Sequence, residues 1–181
     1  MVVAIVGESS SGKSSLADKF VVRNPNFSKI VTYTTRPKRS NETEGVDYYY
    51  VSEEQFRQMI DQDCFLEYIA YREWYYGTPK IEADKNAIVV LDPYGARVLR
   101  RTIPDTSLAK LIYLNVDRRS RMIRVLERGD NIDEAYRRNL HDEGQFTAFD
   151  KESDYVIMNE KYNKSIDEIC DELEKYLNIS H

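Results

Sequence analysis

Eight residues near the start of the chain have the types and the spacing needed to bind a polyphosphate. Gly7 is followed after four residues by Gly12, Lys13 and Ser14, which gives the pattern G-x-x-x-x-G-K-S. Glycines and small side chains let consecutive backbone N–H groups point inward at phosphate oxygens. The lysine of such a loop reaches the terminal phosphates, and the hydroxyl after it can ligate Mg²⁺. The pattern predicts binding of a nucleoside triphosphate. The residues of this predicted site are Gly7, Glu8, Ser9, Ser10, Ser11, Gly12, Lys13, Ser14 and Ser15.

A strand and a helix must position this loop, and the same alternation continues along the chain. Strands are predicted at residues 2–6, 29–33, 87–91, 108–116 and 155–158, and helices after the loop and at residues 94–101, 118–128, 133–146 and 164–177. The strands are short apolar runs, as expected when helices cover both faces of a sheet. We therefore predict an α/β fold with a doubly wound parallel sheet and ligands at the carboxyl ends of its strands.

One segment, residues 36–79, interrupts this alternation and is rich in Tyr and Glu. Residues 46–51 and 65–69 have strand character. Between them, Ser52 and Gln55 form the pattern of a capping box for a helix that reaches Ile60. We predict a small β-rich lobe inserted between the second and third core strands, which can close over a second substrate.

Composition limits the class of protein. A chain of 181 residues with 41% apolar and 31% charged residues is typical of one globular domain. The net charge of −5 argues against nucleic acid as a partner, and no apolar stretch is long enough to span a membrane. Cys64 and Cys170 are expected to be buried free thiols. Because the phosphate loop follows the N-terminus so closely, we expect no signal peptide and a cytoplasmic protein.

Four further motifs follow the phosphate loop. They are T-T-R-x-x-R at residues 34–39, G-x-D-Y at residues 45–48, F-L-E at residues 65–67 and Y-Y-G-T at residues 75–78. In this order and at this spacing, over nearly the whole chain, the set resembles the guanylate kinase family. The resemblance implies one P-loop kinase domain with a core of residues 1–31 and 80–181, an inserted GMP-binding lobe at about residues 32–79 and a helical lid at about residues 124–142.

The side chains of these motifs suit a nucleoside monophosphate. Arg36 and Arg39 offer planar bidentate donors for a phosphate, and tyrosine hydroxyls can add further donors. Glu67 can accept hydrogen bonds from the N1–H and 2-amino groups of guanine, whereas adenine has no matching pair of donors. The resemblance adds base contacts by threonine hydroxyls. The predicted acceptor-binding residues are Thr32, Arg36, Arg39, Tyr48, Glu67, Tyr76, Gly77, Thr78 and Asp92.

Two arginines are predicted to act from a lid. Arg124 and Arg128 are four residues apart and share one helix face, and Gly129 is expected to end that helix. The resemblance implies that both contact phosphates. The alternative that they pair with Glu127 or Asp130 at the surface stays open. The predicted catalytic residues are Lys13, Arg36, Arg39, Arg124, Arg128 and Arg138.

The chain departs from the family pattern at two places. The family has another arginine about ten residues after the lid glycine, where a gapless count reaches Asn139; we favour Arg138 for this role. After the third core strand the family has D-[IV]-[DE]-x-Q-G, but Val90 and Tyr94 replace the first acid and the glutamine. Asp92 remains, and could bind the guanine edge or a Mg²⁺-bound water.

The predicted function is Mg²⁺-dependent transfer of the γ-phosphoryl group of ATP to GMP or dGMP. Two alternatives remain at this point. One is a related kinase for another phosphorylated acceptor, such as a different nucleotide or a sugar phosphate. The other is a non-catalytic module that binds phosphopeptides through the former GMP site. The sequence does not decide between a monomer and a homodimer.

Overall fold

The computed structural model describes residues 1–39, 42–129 and 131–179, and it contains two β-sheets. The strands are β1 (Val2–Val6), β2 (Ser28–Lys29), β3 (Thr32–Thr34), β4 (Tyr48–Tyr50), β5 (Phe65–Tyr71), β6 (Trp74–Pro79), β7 (Ala87–Leu91), β8 (Ala109–Asn115) and β9 (Tyr155–Met158). The helices are α1 (Lys13–Arg23), α2 (Glu53–Asp61), α3 (Pro93–Thr102), α4 (Arg118–Glu127), α5 (Ile132–Asp142) and α6 (Ile166–Leu177).

The larger sheet is parallel and has the strand order β2-β7-β1-β8-β9. Its strands form because runs of Val, Ile and Leu bury both of their faces, and all five residues of β1 are fully buried. Helices α1 and α6 cover one face around Phe20 and Leu173. Helix α3 covers the other face around Leu99, together with Phe149. The predicted doubly wound α/β fold is confirmed.

The register of this sheet aligns the ends of its central strands. Val6 at the end of β1 pairs with Leu91 of β7 and with Tyr113 of β8. The segments that leave these strands therefore start at one edge of the sheet, where the phosphate loop lies. This alignment brings residues that are distant in sequence to one place.

The smaller sheet has the order β4-β3-β6-β5 and its own aromatic core. The ring of Phe56 stacks on Phe65, with centroids 4.6 Å apart, and on Tyr75 at 5.3 Å. Gly77 is required beneath these rings, because a Cβ there would lie 2.8 Å from atoms of both Phe56 and Phe65. Helix α2 begins at Ser52, whose side chain forms the predicted capping box with Gln55.

Three sequence-based predictions differ from the structure. The predicted strand 29–33 is two strands, since Lys29 pairs with Ile88 in the large sheet whereas Thr32 pairs with Tyr48 in the small one. A short run with strand character does not reveal where a chain passes from one sheet to another. The predicted helix 133–146 ends at Asp142, because Gly144 takes a left-handed φ of +80°. Cys170 is buried as expected, but Cys64 is half-exposed.

Within the described part of the chain, no helix has the length and apolar character needed to cross a membrane. The division into core, lobe and lid stays a prediction. The small sheet takes all of its strands from the segment predicted as the lobe.

Candidate functional site

The phosphate loop turns sharply between β1 and α1. Ser10 and Gly12 both take left-handed backbone conformations, with φ of 66° and 100°. Within the loop, the Ser11 N–H donates to the Glu8 carbonyl at 3.2 Å. Successive N–H groups in such a conformation form a concave anion site. The helix dipole of α1, which starts at Lys13, adds to the attraction for negative charge.

Lys13 lies folded back over this loop. Its Nζ donates to the Glu8 carbonyl at 2.8 Å. Burial lowers the pKa of Lys13 to about 8, and the charges of Arg121 and Arg138 act in the same direction. The carboxylates of Asp142 and Glu8 oppose this shift. Lys13 is thus a buried cation with both carboxylates and arginines nearby, and a polyanionic ligand would add further negative charge beside it.

A carboxylate occupies part of the loop in this structure. Oδ2 of Asp142, at the end of α5, accepts a hydrogen bond from the Ser9 N–H at 2.6 Å. Asp142 is not among the sequence-predicted site residues, because an acid near the end of a surface helix carries no signal of its own. Its contact with the loop comes only from the tertiary fold.

A cavity of ≈ 220 Å³ lies between the two sheets and opens onto this loop. The phosphate loop contributes Gly7, Ser9 and Lys13 to its lining. Seven sequence-predicted acceptor residues also line it, and they are Thr32, Tyr48, Glu67, Tyr76, Gly77, Thr78 and Asp92. Ile69, Val90, Leu91, Asp142 and Phe146 complete the lining. The fold therefore brings seven of the nine predicted acceptor residues and part of the donor loop into one cavity, whereas Arg36 and Arg39 are not among its lining residues.

Glu67 is a partly buried acidic group of this cavity, and its pKa is raised. Burial raises the pKa of Glu67 to about 7, the Thr78 hydroxyl opposes the rise by donating to its Oε1 at 2.5 Å, and the nearby charge of Asp92 adds to it. A buried carboxylate that lacks enough donors is suited to a ligand that brings N–H groups. Guanine offers two such groups on one edge.

The two predicted phosphate-binding arginines are held by a carboxylate that sequence reasoning missed. Glu42 accepts from Arg36 Nη2 at 2.6 Å and from the Arg39 N–H at 2.8 Å. The Tyr50 hydroxyl donates to the same carboxylate at 2.8 Å. Burial alone would raise the pKa of Glu42, but these hydrogen bonds outweigh it and lower the pKa to about 2. The guanidinium of Arg36 also lies over the ring of Tyr48, 5.5 Å from its centroid.

The lid segment places its arginines differently. Arg124 reaches the phosphate loop, since its Nη1 would lie 3.3 Å from a Cβ added to Gly12. Arg128 follows the last residue of α4 as an exposed C-cap. Gly129, with φ of +68°, ends the helix as predicted. Asp130, the alternative surface partner, lies outside the described residues.

The two candidates for the third lid position, Arg138 and Asn139, have different surroundings in the structure. Asn139 is buried, and its Oδ1 accepts from Arg121 Nη1 at 2.9 Å. Arg138 lies close enough to Lys13 and Arg39 that its charge lowers the pKa of each, after the larger effect of burial. Arg138 is thus near Lys13 and Arg39, whereas Asn139 is buried against Arg121, which also donates to the Ser9 carbonyl of the phosphate loop.

A second cavity of ≈ 1100 Å³ lies on the other side of the phosphate loop. Ser11, Gly12 and Ser15 line it, together with Arg124 and the segment after β9. Sequence reasoning missed the residues of that segment, Asn159 and Tyr162. A signal was present, because Asn159 directly follows a predicted strand at the edge where ligands bind.

The two departures from the family pattern have different surroundings. Val90 lines the smaller cavity and puts an apolar wall where an acid was expected, whereas Tyr94 is 48% exposed. Asp92 lines the cavity, and its Oδ1 accepts from the Gly95 N–H at 2.7 Å as the N-cap of α3. This Asp92 oxygen is therefore already used to cap α3.

Mg²⁺ fits the donors at this edge. The Ser14 hydroxyl is exposed at the start of α1, and the Asp92 carboxylate lies at the end of β7. Among the described residues, no cluster of three His, Cys, Asp or Glu could hold a metal alone. Mg²⁺ is commonly held by one or two protein oxygens, phosphates and water, so this sparse donor set suits it.

An anion-binding loop at the edge of a parallel sheet, facing a base-sized cavity, defines a P-loop phosphotransferase. Comparison with known proteins then gives the family. The family model described as guanylate kinase matches residues 1–179. The chain therefore belongs to the guanylate kinase family, the enzymes that phosphorylate GMP with ATP.

Individual relatives agree with this assignment. A guanylate kinase of Synechococcus sp. (strain JA-3-3Ab) is 31% identical over 173 residues, which cover 92% of this chain and 79% of the relative. A guanylate kinase of Thermosynechococcus vestitus is 33% identical over 178 residues, covering 91% of this chain and 88% of the relative. The crystal structure of guanylate kinase from Anaplasma phagocytophilum has the same fold, with a TM-score of 0.70, 23% identity and coverage of 98% of this chain and 84% of that chain.

Proposed function

We propose that this chain transfers the γ-phosphoryl group of ATP to GMP or dGMP in a Mg²⁺-dependent reaction, and that it does so in the cytoplasm. The observation that carries the proposal is the ≈ 220 Å³ cavity, whose lining includes Lys13 on one side and Glu67 on the other. A nucleoside monophosphate bound there by its base would present its phosphate toward the donor loop.

The donor phosphates are assigned to the loop. Main-chain N–H groups of residues 8–15 would hold the β- and γ-phosphates, with Lys13 reaching across them. The contact between Asp142 and the Ser9 N–H would be replaced by a phosphate oxygen. The large cavity beside Arg124 has room for the nucleoside of ATP.

The acceptor is assigned to the smaller cavity. Glu67, once ionised, would accept from the N1–H and 2-amino groups of guanine, while Thr78 and Thr32 contact the base through their hydroxyls. The phosphate of the acceptor would be held by Tyr48, Tyr76, Arg36 and Arg39. Adenine would leave Glu67 without donors, which is costly for a buried carboxylate.

Catalysis then needs positioning and charge neutralisation rather than covalent chemistry. The GMP phosphate is already ionised near neutral pH, so its oxygen can attack in line without a strong general base. Lys13, Arg124, Arg128 and Arg138 would offset the negative charge that builds up on the transferred group. Ser14, and Asp92 through a bound water, would hold Mg²⁺, which neutralises phosphate charge when bound.

A kinetic screen tests the proposal. ADP formation from ATP would be measured with GMP, dGMP, AMP, CMP, UMP and dTMP, each with Mg²⁺ and with excess EDTA. We expect kcat/KM for a guanine nucleotide to exceed that for AMP by about a hundredfold or more. EDTA should abolish turnover.

Two results would contradict the proposal. Absence of turnover with GMP and dGMP beside good turnover with another acceptor would assign the cavity to a different substrate. Absence of turnover with every acceptor, together with ATP affinity unchanged in Lys13→Ala, would favour the non-catalytic module. No observation in the structure favours either alternative.

A further inference from the structure

The segment after β9 has an unusual backbone conformation. Lys161 and Tyr162 are consecutive residues with positive φ, 55° and 50°, within the short helical turn Glu160–Tyr162. This region is unfavourable for residues with a Cβ, and an aromatic residue is rarely found there. Strain of this kind persists only where surrounding contacts impose it, and it is concentrated at functional sites.

The contacts that impose the conformation connect this segment to the lid. The Lys161 N–H donates to Asp117 Oδ2 at 3.0 Å. The other oxygen of Asp117 accepts from the Ser120 N–H at 2.9 Å and so caps α4. At the base of the segment, buried Asn159 accepts from the Lys164 N–H at 2.9 Å. One carboxylate therefore fixes both the start of α4 and the position of Tyr162.

The Tyr162 side chain contacts the two parts of the predicted donor site. Its hydroxyl donates to the carbonyl of Ser10, one of the two left-handed residues of the phosphate loop. Its ring carries the guanidinium of Arg124, whose Cζ lies 4.7 Å from the ring centroid. Arg124 Nη1 in turn lies against Gly12. Tyr162 thus lies between the phosphate loop and Arg124.

Each contact has a physical consequence for the donor site. A free arginine side chain has many rotamers, and an aromatic face beneath the guanidinium restricts them while leaving its N–H edge available for phosphate. The hydroxyl holds the Ser10 peptide in the orientation that directs neighbouring N–H groups inward. Burial raises the pKa of Tyr162, against an opposing hydrogen bond and charge from the Arg124 side chain, so the hydroxyl stays protonated and able to donate.

We infer that Tyr162 is a positioning residue of the donor site: its ring holds Arg124 over the phosphate loop, and its hydroxyl holds the Ser10 peptide. The inference rests on the proposed function, in which Arg124 contacts the donor phosphates. An ordinary packing role is the competing explanation, since Tyr162 also packs against the core cluster on the α1 and α6 face.

Two substitutions separate the ring from the hydroxyl. Tyr162→Phe keeps the ring and should leave kcat near the wild-type value while raising KM for ATP a few-fold, because one hydrogen bond to the loop is lost. Tyr162→Leu removes the aromatic face and should lower kcat about tenfold. Tyr162→Met, which keeps bulk without a π face, replaces Tyr162→Leu if that variant does not fold.

A double-mutant cycle with Arg124→Ala tests whether the ring acts through Arg124. In the Arg124→Ala background, Tyr162→Leu should change kcat by less than about twofold, because the group that it positions is gone. Tyr176→Leu is the matched control, since Tyr176 also carries a cation, Lys110 Nζ at 5.7 Å, but stacks on Tyr155 away from the loop. It should lower the melting temperature and leave kcat unchanged.

Three results would overturn the inference. They are an equal loss of kcat from Tyr162→Leu with and without Arg124, an equal loss from Tyr162→Phe and Tyr162→Leu, and a loss of melting temperature with unchanged kcat and KM. If the wild type does not phosphorylate GMP, the proposed function fails on its own. In that case the ATP affinity of the same four variants is measured by titration, and Tyr162→Leu should weaken ATP binding only when Arg124 is present.

Discussion

The phosphate loop offers main-chain N–H groups to its ligand, whereas the small sheet offers side chains. The loop follows β1, whose five residues are fully buried, so its shape is fixed by the core of the protein. The small sheet depends on aromatic stacking around Phe56, and its arginines depend on one carboxylate, Glu42. The first site is positioned by packing alone, whereas the second also needs an ionic contact to orient its side chains.

This difference predicts which substitutions should damage each site. A main-chain site should keep most of its affinity for phosphate when one loop side chain is replaced, provided that the turn and the lysine remain. A side-chain site loses its geometry when a single partner is removed, because a buried arginine without its carboxylate is unstable. The following substitutions test this contrast, from the largest expected effect to the smallest.

Replacing Lys13 removes the side-chain charge that the phosphate loop itself supplies to the main-chain site. We expect Lys13→Met to lower kcat by roughly a thousandfold, because Lys13 neutralises charge that develops during transfer. The fold should persist. ADP formation measures the first effect and circular dichroism the second. Retention of more than a tenth of the activity would contradict the assigned role.

Lys13→Met should also change how the free energy of unfolding depends on pH. The pKa of Lys13 is lowered from 10.5 to about 8 on folding, so between these values the unfolded chain holds a proton that the native chain has lost. Stability of the wild type relative to Lys13→Met should therefore rise as the pH increases from 8 to 10.5. Urea denaturation at several pH values checks the sign, and comparison with the variant removes the contribution of other groups.

Replacing Glu67 tests base recognition by the side-chain site. Glu67→Gln should lower kcat/KM for GMP by about a hundredfold and leave KM for ATP unchanged, because Gln presents one donor where two acceptors are needed. The raised pKa of Glu67, about 7, also predicts that GMP binds more weakly as the pH falls below 7, since the carboxyl must lose its proton. Calorimetry in buffers of different ionisation enthalpy should show more proton release on GMP binding near pH 6.5 in the wild type than in the variant, in which only the GMP phosphate still titrates.

Replacing Glu42 tests the preorganisation of the arginines. Glu42→Gln should raise KM for GMP about tenfold and cost about 1–3 kcal/mol of stability, because Arg36 would lose its ionic partner in a buried position. The pKa of Glu42 is lowered from 4.5 to about 2, so its contribution is complete above pH 4.5 and lost as the pH falls toward 2. Glu53→Gln, which breaks an exposed pair with Arg57, is the control and should cost less than about 0.5 kcal/mol.

Replacing Asp142 should have the smallest effect and the opposite sign. Asp142→Asn removes a negative charge from the Ser9 N–H, so ATP should bind a few-fold more tightly. Titration of ATP into each variant measures this, with Glu143→Gln as an exposed neighbouring control. Weaker binding in Asp142→Asn would show that this carboxylate helps to hold the nucleotide instead of competing with it.

Much of the core and of the two binding segments was predictable, for local reasons. The pattern of Gly7, Gly12 and Lys13 identifies the phosphate loop, and the Ser52–Gln55 capping box correctly places the start of α2. The strand at residues 29–33 was predicted wrongly, because its residues have strand character throughout and no turn signal marks the passage from one sheet to the other. The helix predicted to reach residue 146 was too long, because its apolar pattern continues beyond the glycine that ends it.

The sequence by itself determined the phosphate loop, the alternation of strands and helices, and the residue types available for guanine and phosphate. These features depend on short-range spacing and on burial, which neighbouring residues encode. Only the tertiary structure decided that Glu42 pairs with Arg36 and accepts from the Arg39 main chain, that Asn139 is buried against Arg121, and that Tyr162 lies beneath Arg124. Such contacts join separate segments of the chain, and their geometry exists only after the sheets have set the register of each strand.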